Sequence, residues 1–443
     1  MKSQAKLAPA LVVCCALAAC DSTGRTRGPS TRVAAIHAAP SFGEISFLRE
    51  ERFVTGAESL SYRSSAVATF EVGQYDFNVD VLRPGAAGPE RSLTFSETLQ
   101  PDTDYFFVIT ENAGALAPIV AAAPSFDPAS GSAQTALVHA APGFGAVDVY
   151  LTAPAANLSA ANAIGTAAFM EALAPQTIAA GDYQLSLTEP GNPLNVLFSS
   201  PTLALAAGQD EMFVITDGGG EGVVPIHVVR LGGDLATLTD VNAVSAVRAI
   251  NAASDGQPRD LVVDDDFAAP LFPALPYAEP SADAPTAPGA RVLKATPAGN
   301  PGVVEGESGA ALAPGRAHTV LVTGAAGDLD ITTVMEDRRR IAGQASLRIF
   351  NGAGQFESLD FFILQPGVEI DTVAPLSLAA GTFSAAGALP PGDFEITIRL
   401  AQTQTAAFGP LTVTVEGGGL YSVLAVNGAT PDTADVVLFD DFQ

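Results

Sequence analysis

Hydrophobic and polar positions in this chain alternate with a period of two over short runs, and each run ends at a turn residue. Val147-Asp148-Val149 and Leu359-Asp360-Phe361 alternate apolar and polar, as does Ile45-Ser46-Phe47, which predicts half-buried strands. A glycine leads the next strand in Gly73-Gln74-Tyr75-Asp76-Phe77, Gly181-Asp182-Tyr183-Gln184-Leu185, Gly289-Ala290-Arg291-Val292-Leu293 and Gly392-Asp393-Phe394-Glu395-Ile396. Other runs are apolar without alternation, as in Val33–Ile36 and Ala136–Val138, and in Val244–Ile250 and Leu347–Phe350, where Arg248 and Arg348 interrupt them. Further strands are expected at Tyr105–Thr110, Met212–Thr216, His318–Thr323 and Tyr421–Val426, and closing strands at Val223–Arg230 and Val436–Phe439. Sustained helical periodicity is absent; an alanine-rich stretch at Asn157–Ala174 has room for one short helix. Six or seven short strands between turn signals predict a two-sheet sandwich.

The pattern occurs four times. The phrase His37-Ala38-Ala39-Pro40 returns as His139-Ala140-Ala141-Pro142, Asn251-Ala252-Ala253-Ser254 and Asn351-Gly352-Ala353-Gly354. Nine positions after each leading residue stand Ser46, Asp148, Asp260 and Asp360. The leading residues are 102, 112 and 100 positions apart, so one domain-sized module is repeated. The fold class expected is all-β: four tandem Ig-like or transthyretin-like sandwich modules at residues 31–130, 133–241, 242–343 and 344–443. Short linkers predict a semi-rigid rod or bent stack, about 120–150 Å long if extended.

The N-terminus adds a location. Lys2 and Lys6 precede an apolar stretch from Leu7 to Ala16 that is too short to span a bilayer, and Leu17-Ala18-Ala19-Cys20 follows. Small residues before Cys20 suit a lipoprotein signal peptidase. Residues 1–19 are therefore expected to be a lipoprotein signal peptide, Cys20 the lipidation site, and residues 20–30 a polar tether. No cysteine follows Cys20, so an exported mature chain has no disulfide to rely on. The expected localisation is the cell envelope, lipid-anchored, on the periplasmic face or the cell surface. In some Gram-negative bacteria an acidic residue such as Asp21 after the lipid cysteine favours inner-membrane retention.

Composition narrows the partners. Without residues 1–19 the chain has 19 basic and 48 acidic residues, a net charge of −29, and such a surface repels nucleic acid. Lys294 is then the only lysine, which excludes a phosphate-loop NTPase. With 48% hydrophobic and 16% charged residues the chain is globular.

From the apolar strand before His139-Ala140-Ala141-Pro142 through Val147-Asp148-Val149-Tyr150, together with the Gly181-Asp182-Tyr183 strand and the residues 208–216, the chain resembles the bacterial and archaeal family called domain of unknown function 4397. The likeness is strongest in residues 133–232, clear in 31–125 and weaker in the last two modules, where Asn replaces the leading His. Arg248 and Arg348 sit where that family often has arginine. The resemblance implies exported, often lipid-anchored proteins with tandem sandwich modules, and it implies no catalytic residues.

The candidate chemistry is sparse. A catalytic imidazole is not interchangeable with a non-titrating amide, so His37, His139, Asn251 and Asn351 share only a donor and an acceptor, suited to tying the loop after the first strand. Ser46, Asp148, Asp260 and Asp360 are expected to bond the His or Asn of their own module. Metal ligation by His37 or His139 is the minor reading, and His227 and His318 read as strand residues. Asp264-Asp265-Asp266 and Asp440-Asp441 read as solvated edges rather than calcium ligands. Thr216-Asp217-Gly218-Gly219-Gly220 reads as a flexible loop. Arg338-Arg339-Arg340 reads as a solvated linker, with a docking patch between modules as the sharper alternative. No catalytic residue, metal or cofactor is expected. The expectation is a structural or protein-interaction role, attached to the membrane through Cys20. A glycan-binding lipoprotein is the alternative and predicts Tyr62, Tyr150 or Tyr277 exposed on one face. An enzyme, the third class, predicts a deep polar pocket uniting a histidine with carboxylates.

Overall fold

The computed structural model describes residues 29–125, 131–159, 162–220, 222–232 and 235–442. Within them the regular structure is strand, apart from short 3-10 turns such as Ile370–Thr372, and forms eight sheets, two to a module. The signal peptide, Cys20 and most of the tether lie outside the described residues. Over its described residues the alanine-rich stretch holds no α-helix: Asn162 has 3-10 geometry, and a short strand, Gly165–Ala167, follows. Its side pairs with Val147–Val149, so an edge of the sheet recruits it as extended chain.

Module 1 shows the common plan. Its strands are β1 (Ser30–His37), β2 (Ile45–Arg49), β3 (Arg52–Phe53), β4 (Ser65–Glu71), β5 (Gly73–Val81), β6 (Glu90–Leu99), β7 (Thr103–Asn112) and β8 (Ala115–Pro124). A front sheet has the order β4-β1-β7-β8 and a back sheet the order β3-β2-β5-β6. β1 runs parallel to β7; every other pairing is antiparallel. The first strands of the other modules, Ser132–His139, Ser245–Ala253 and Ala345–Asn351, likewise run parallel to a later strand of their front sheets. Gly73, Gly289 and Gly392 lead their back-sheet strands at φ of 149°, 108° and 143°, a region that favours glycine.

The runs without alternation are explained by burial on both faces. In β1, Val33 and Ala35 enter the core of module 1, where Phe47, Phe77 and Phe107 pack at ring separations of 4.8–6.0 Å. Ala34 and Ile36 point the other way. They meet Ala136 and Val138 of module 2 in a second apolar cluster, together with Phe106, Val108, Met212 and Val214. The front sheets of modules 1 and 2 thus close on each other, since a strand apolar on both faces must cover both. Modules 3 and 4 pair in the same way through Ile250, Leu321, Val334, Phe350, Leu424 and Phe439.

The two pairs also touch, so of the rod and bent stack expected from the sequence the extended rod gives way to a clasped body. Ala342, in the linker between modules 3 and 4, donates its backbone N–H to Ser41 of module 1 at 2.7 Å. Arg339 of the same linker lies 5.0 Å above the Tyr62 ring of module 1. The glycine loop of module 2, read from sequence as flexible, is packed. A Cβ on Gly220 would stand 3.0 Å from the Arg338 carbonyl oxygen, and one on Gly222 would stand 1.8 Å from the carbonyl oxygen of Gly315 in module 3.

Candidate functional site

The repeated phrase is a corner with three duties. Its leading residue is fully buried in all four modules. His37 Nδ1 accepts the N–H of Ala39 at 3.3 Å while Nε2–H donates to the Gly43 carbonyl at 2.8 Å. His139 repeats this with Ala141 at 3.3 Å and Gly145 at 2.9 Å. Asn251 Oδ1 accepts the N–H of Ala253 at 3.1 Å, and its Nδ2 donates to Gln257 at 2.9 Å and Leu275 at 3.1 Å. Asn351 does likewise with Ala353 at 3.1 Å and Leu378 at 2.9 Å. In all four copies the side chain accepts the backbone N–H two residues on; the donor goes to the carbonyl six residues on from His37, His139 and Asn251, and from Asn351 to Leu378.

The next two residues face opposite ways. Ala38, Ala140 and Ala252 lie in the clusters between paired modules, whereas Ala39, Ala141, Ala253 and Ala353 enter the cores of their own modules. At the matching position of module 4, a Cβ on Gly352 would stand 2.6 Å from the Ala252 Cβ. Small residues follow the leading His or Asn because two sheets meet there. The spacing disclosed the corner, but only the partner module explains the second alanine.

The position nine residues on does not bond the leading residue. Asp148 accepts the Thr166 hydroxyl and, at 2.7 Å, the N–H of Gly191. Asp260 accepts the N–H of Ala274 at 2.6 Å and of Gly299 at 2.9 Å. Asp360 accepts the Ser377 hydroxyl and the N–H of Gln402 at 2.9 Å. Ser46 donates to the Glu58 carbonyl at 2.7 Å. These side chains sit on the back sheet and point out of the core, away from the corner. There each aspartate joins an edge strand to a hairpin turn and is itself buried.

Burial governs the four histidines. It lowers the pKa of His37 to about 4, with Arg339 adding to the effect, and that of His227 to about 3, with Arg63 and Arg316 adding. His139 and His318 are lowered for the same reason. Among the described residues no three His, Cys, Asp or Glu side chains are arranged to hold a metal ion.

The other sequence candidates are tied into pairs. Asp264 meets Arg291 at 2.8 Å and Asp265 meets Lys294 at 2.5 Å. Arg338, Arg339 and Arg340 divide among the modules: Arg338 grips Asp283 of module 3 at 2.6 and 3.1 Å, Arg339 covers Tyr62 of module 1, and Arg340 grips Asp441 of module 4. The run is a junction between modules rather than a solvated linker. Tyr150 is fully buried, Tyr62 donates to the Asp217 carbonyl of module 2 at 2.6 Å, and Tyr277 packs into the face between modules 3 and 4. These three tyrosines share no exposed face.

A cleft of about 290 Å³ at the junction of modules 3 and 4 is lined by Arg248, Arg348, Glu336, Asp440, Arg338 and Arg340. Arg248 reaches Asp440 at 2.5 Å, and Arg348 lies 3.1 Å from Glu336. Module 3 holds a further buried cation: Arg259 takes the place filled by Ile45, Val147 and Leu359 in the other modules and pairs with Glu305 at 2.6 Å. Sequence reasoning passed over Arg259, although an arginine next to the ninth-position aspartate in a strand was a visible signal.

Comparison with known proteins gives a family. The profile described as domain of unknown function (DUF4397) matches residues 31–150 and 245–362, more than half of the chain, and the chain belongs to that family. The match covers module 3 as fully as module 1 and leaves residues 151–244 unmatched, most of the stretch expected to carry the strongest likeness. No curated protein matches. Among solved structures, the Bacillus anthracis TIE protein is similar at 10% identity and TM-score 0.16, covering 91% of this chain and 69% of that one. The multi-modular glycogen-degrading pneumococcal virulence factor SpuA, in a product complex, is similar at 8% identity and TM-score 0.15, covering 86% of this chain and 37% of that one. Likenesses at these scores carry no weight for fold or activity.

Proposed function

We propose that this member of the DUF4397 family is a cell-envelope lipoprotein, anchored through Cys20, whose paired sandwiches serve a non-catalytic structural or protein-interaction role. One observation carries the non-catalytic part: His37, His139, Asn251 and Asn351 accept the same backbone N–H two residues on, so the position works without a titrating group. The anchor rests on the Leu17-Ala18-Ala19-Cys20 sequence after a short apolar stretch. Because the front sheets cover one another, back-sheet faces, edges and hairpin loops are what remain for a partner. The placement of Tyr62, Tyr150 and Tyr277 disfavours the glycan-binding alternative.

The test is a capture of envelope proteins by the intact lipoprotein and by a His37→Asn, His139→Asn variant. A shared set of partners, retained by the variant, supports the proposal; loss of an enzymatic turnover in the variant would refute it. Palmitate incorporation tests the anchor separately. The expected result is label on the parent and none on Cys20→Ala, and an unlabelled parent overturns the anchor.

A further inference from the structure

The two module pairs are closed by different chemistry at the same place. Three positions before the leading His or Asn stand Ala34, Ala136, Arg248 and Arg348. Each has a neighbour on the adjacent parallel strand: Phe106, Met212, Thr319 and Ser422 in turn. All eight side chains lie on the front sheet, on the side turned toward the paired module. In the first pair these residues belong to one apolar cluster. In the second pair the arginines exchange partners. Arg248 of module 3 pairs with Asp440 of module 4 at 2.5 Å, and Arg348 of module 4 pairs with Glu336 of module 3 at 3.1 Å. The neighbouring hydroxyls hold the acids in place: Thr319 donates to Glu336 at 2.7 Å and Ser422 donates to Asp440 at 2.6 Å. Arg248 also donates to the Thr319 hydroxyl at 2.7 Å. Both arginines and Glu336 are less than a tenth exposed.

We propose that the front sheet is a homotypic docking face and that the residue three before the corner selects which module it accepts. A face with alanine takes a face with alanine; a face with arginine takes one that returns a carboxylate. Were module 3 to close on module 1, Arg248 would lose Asp440 and be buried against Ala34 and Phe106 with Glu336 of its own module 3.5 Å away; Arg348 of module 4, closing on module 2, would leave Glu336 behind. An unpaired buried charge is penalised far more than a buried ion pair is rewarded, so the arginines act chiefly against wrong partners. Four similar faces on one chain need such a device, because hydrophobic contact alone does not discriminate among them. The partner that fits each face is therefore another module of this kind with the matching residue.

The mismatch, and not the presence of charge, is what the proposal says opens a face, and this is testable in the full chain. A thiol is placed on the docking face by Val426→Cys, or in the core of module 4 by Val423→Cys, and its labelling rate is read at the peptide that carries it. Glu336→Gln with Asp440→Asn leaves both arginines without carboxylates; labelling at position 426 should then rise at least about tenfold while position 423 stays protected. Adding Arg248→Met and Arg348→Met makes the face neutral like that of the first pair, and labelling should return to within about twofold of the parent. Unchanged labelling in the two-carboxylate variant overturns the proposal, as does a four-substitution variant that stays open. Exposure of position 423 together with 426 also counts against it, because the carboxylates would then hold the module itself.

Discussion

A buried imidazole that accepts one backbone N–H through Nδ1 and donates through Nε2 has no place for a second proton. Protonating His37 would set a donor against the N–H of Ala39 in a site without water access. In the unfolded chain the group titrates near 6.5, and in the folded chain burial lowers it to about 4. Between these values the unfolded chain takes up a proton that the folded chain refuses. Stability from this group is therefore full above pH 6.5 and lost as the pH falls toward 4, by on the order of 3 kcal/mol. His37→Asn keeps the donor and acceptor and removes the titration. The difference between parent and variant unfolding free energies, followed by denaturant titration from pH 7.5 to 4, should slope across that window; a flat difference would show that His37 does not titrate on unfolding. This role was legible in the sequence because the Asn copies stand beside the His copies. The destination of Asp148, Asp260 and Asp360 was not, because a residue pointing out of a strand can be met by any neighbour the fold brings.

At the scale of elements, the first strand of each module is the informative one. The residues four and two before the leading His or Asn and two after it enter the module's own core, and those three and one before and one after it face the other module. The run lacks alternation because it is buried on both sides. Gly352 is the tightest point, so Gly352→Ala drives a methyl group into Ala252 and forces the front sheets of modules 3 and 4 apart. Its expected cost is about 1–3 kcal/mol. Ala252→Gly should recover part of that loss when the two are combined, since the pair is in contact. Thermal unfolding of both single variants and the double variant gives the coupling, and strictly additive losses would contradict the contact.

For the whole molecule, two face-to-face pairs are clasped by the linker at Asp337–Gln344 and by the glycine loop of module 2. A compact body of this length has a radius of gyration of about 22 Å, against roughly 35–45 Å for a rod of four modules. Small-angle X-ray scattering should return a value near the first, and one in the rod range would exclude the clasp. Gly222→Ala places a methyl group where the Gly315 carbonyl sits, so its radius of gyration should increase while both pairs stay closed.

What the sequence determined by itself is what repeats locally. Period-two strands, turn glycines, the fourfold phrase and the exchange of His for Asn follow from backbone geometry within one module, and every module carries them. The tertiary structure decided what covers each face. Ala34 and Arg248 occupy the same place in the pattern, yet one needs an apolar neighbour and the other a carboxylate 192 positions away. Pairing, the clasp and the division of Arg338, Arg339 and Arg340 among the modules depend on contacts between residues far apart in the chain. Hydrophobic burial fixes that a face must be covered, but only the assembled shape and charge fix by what.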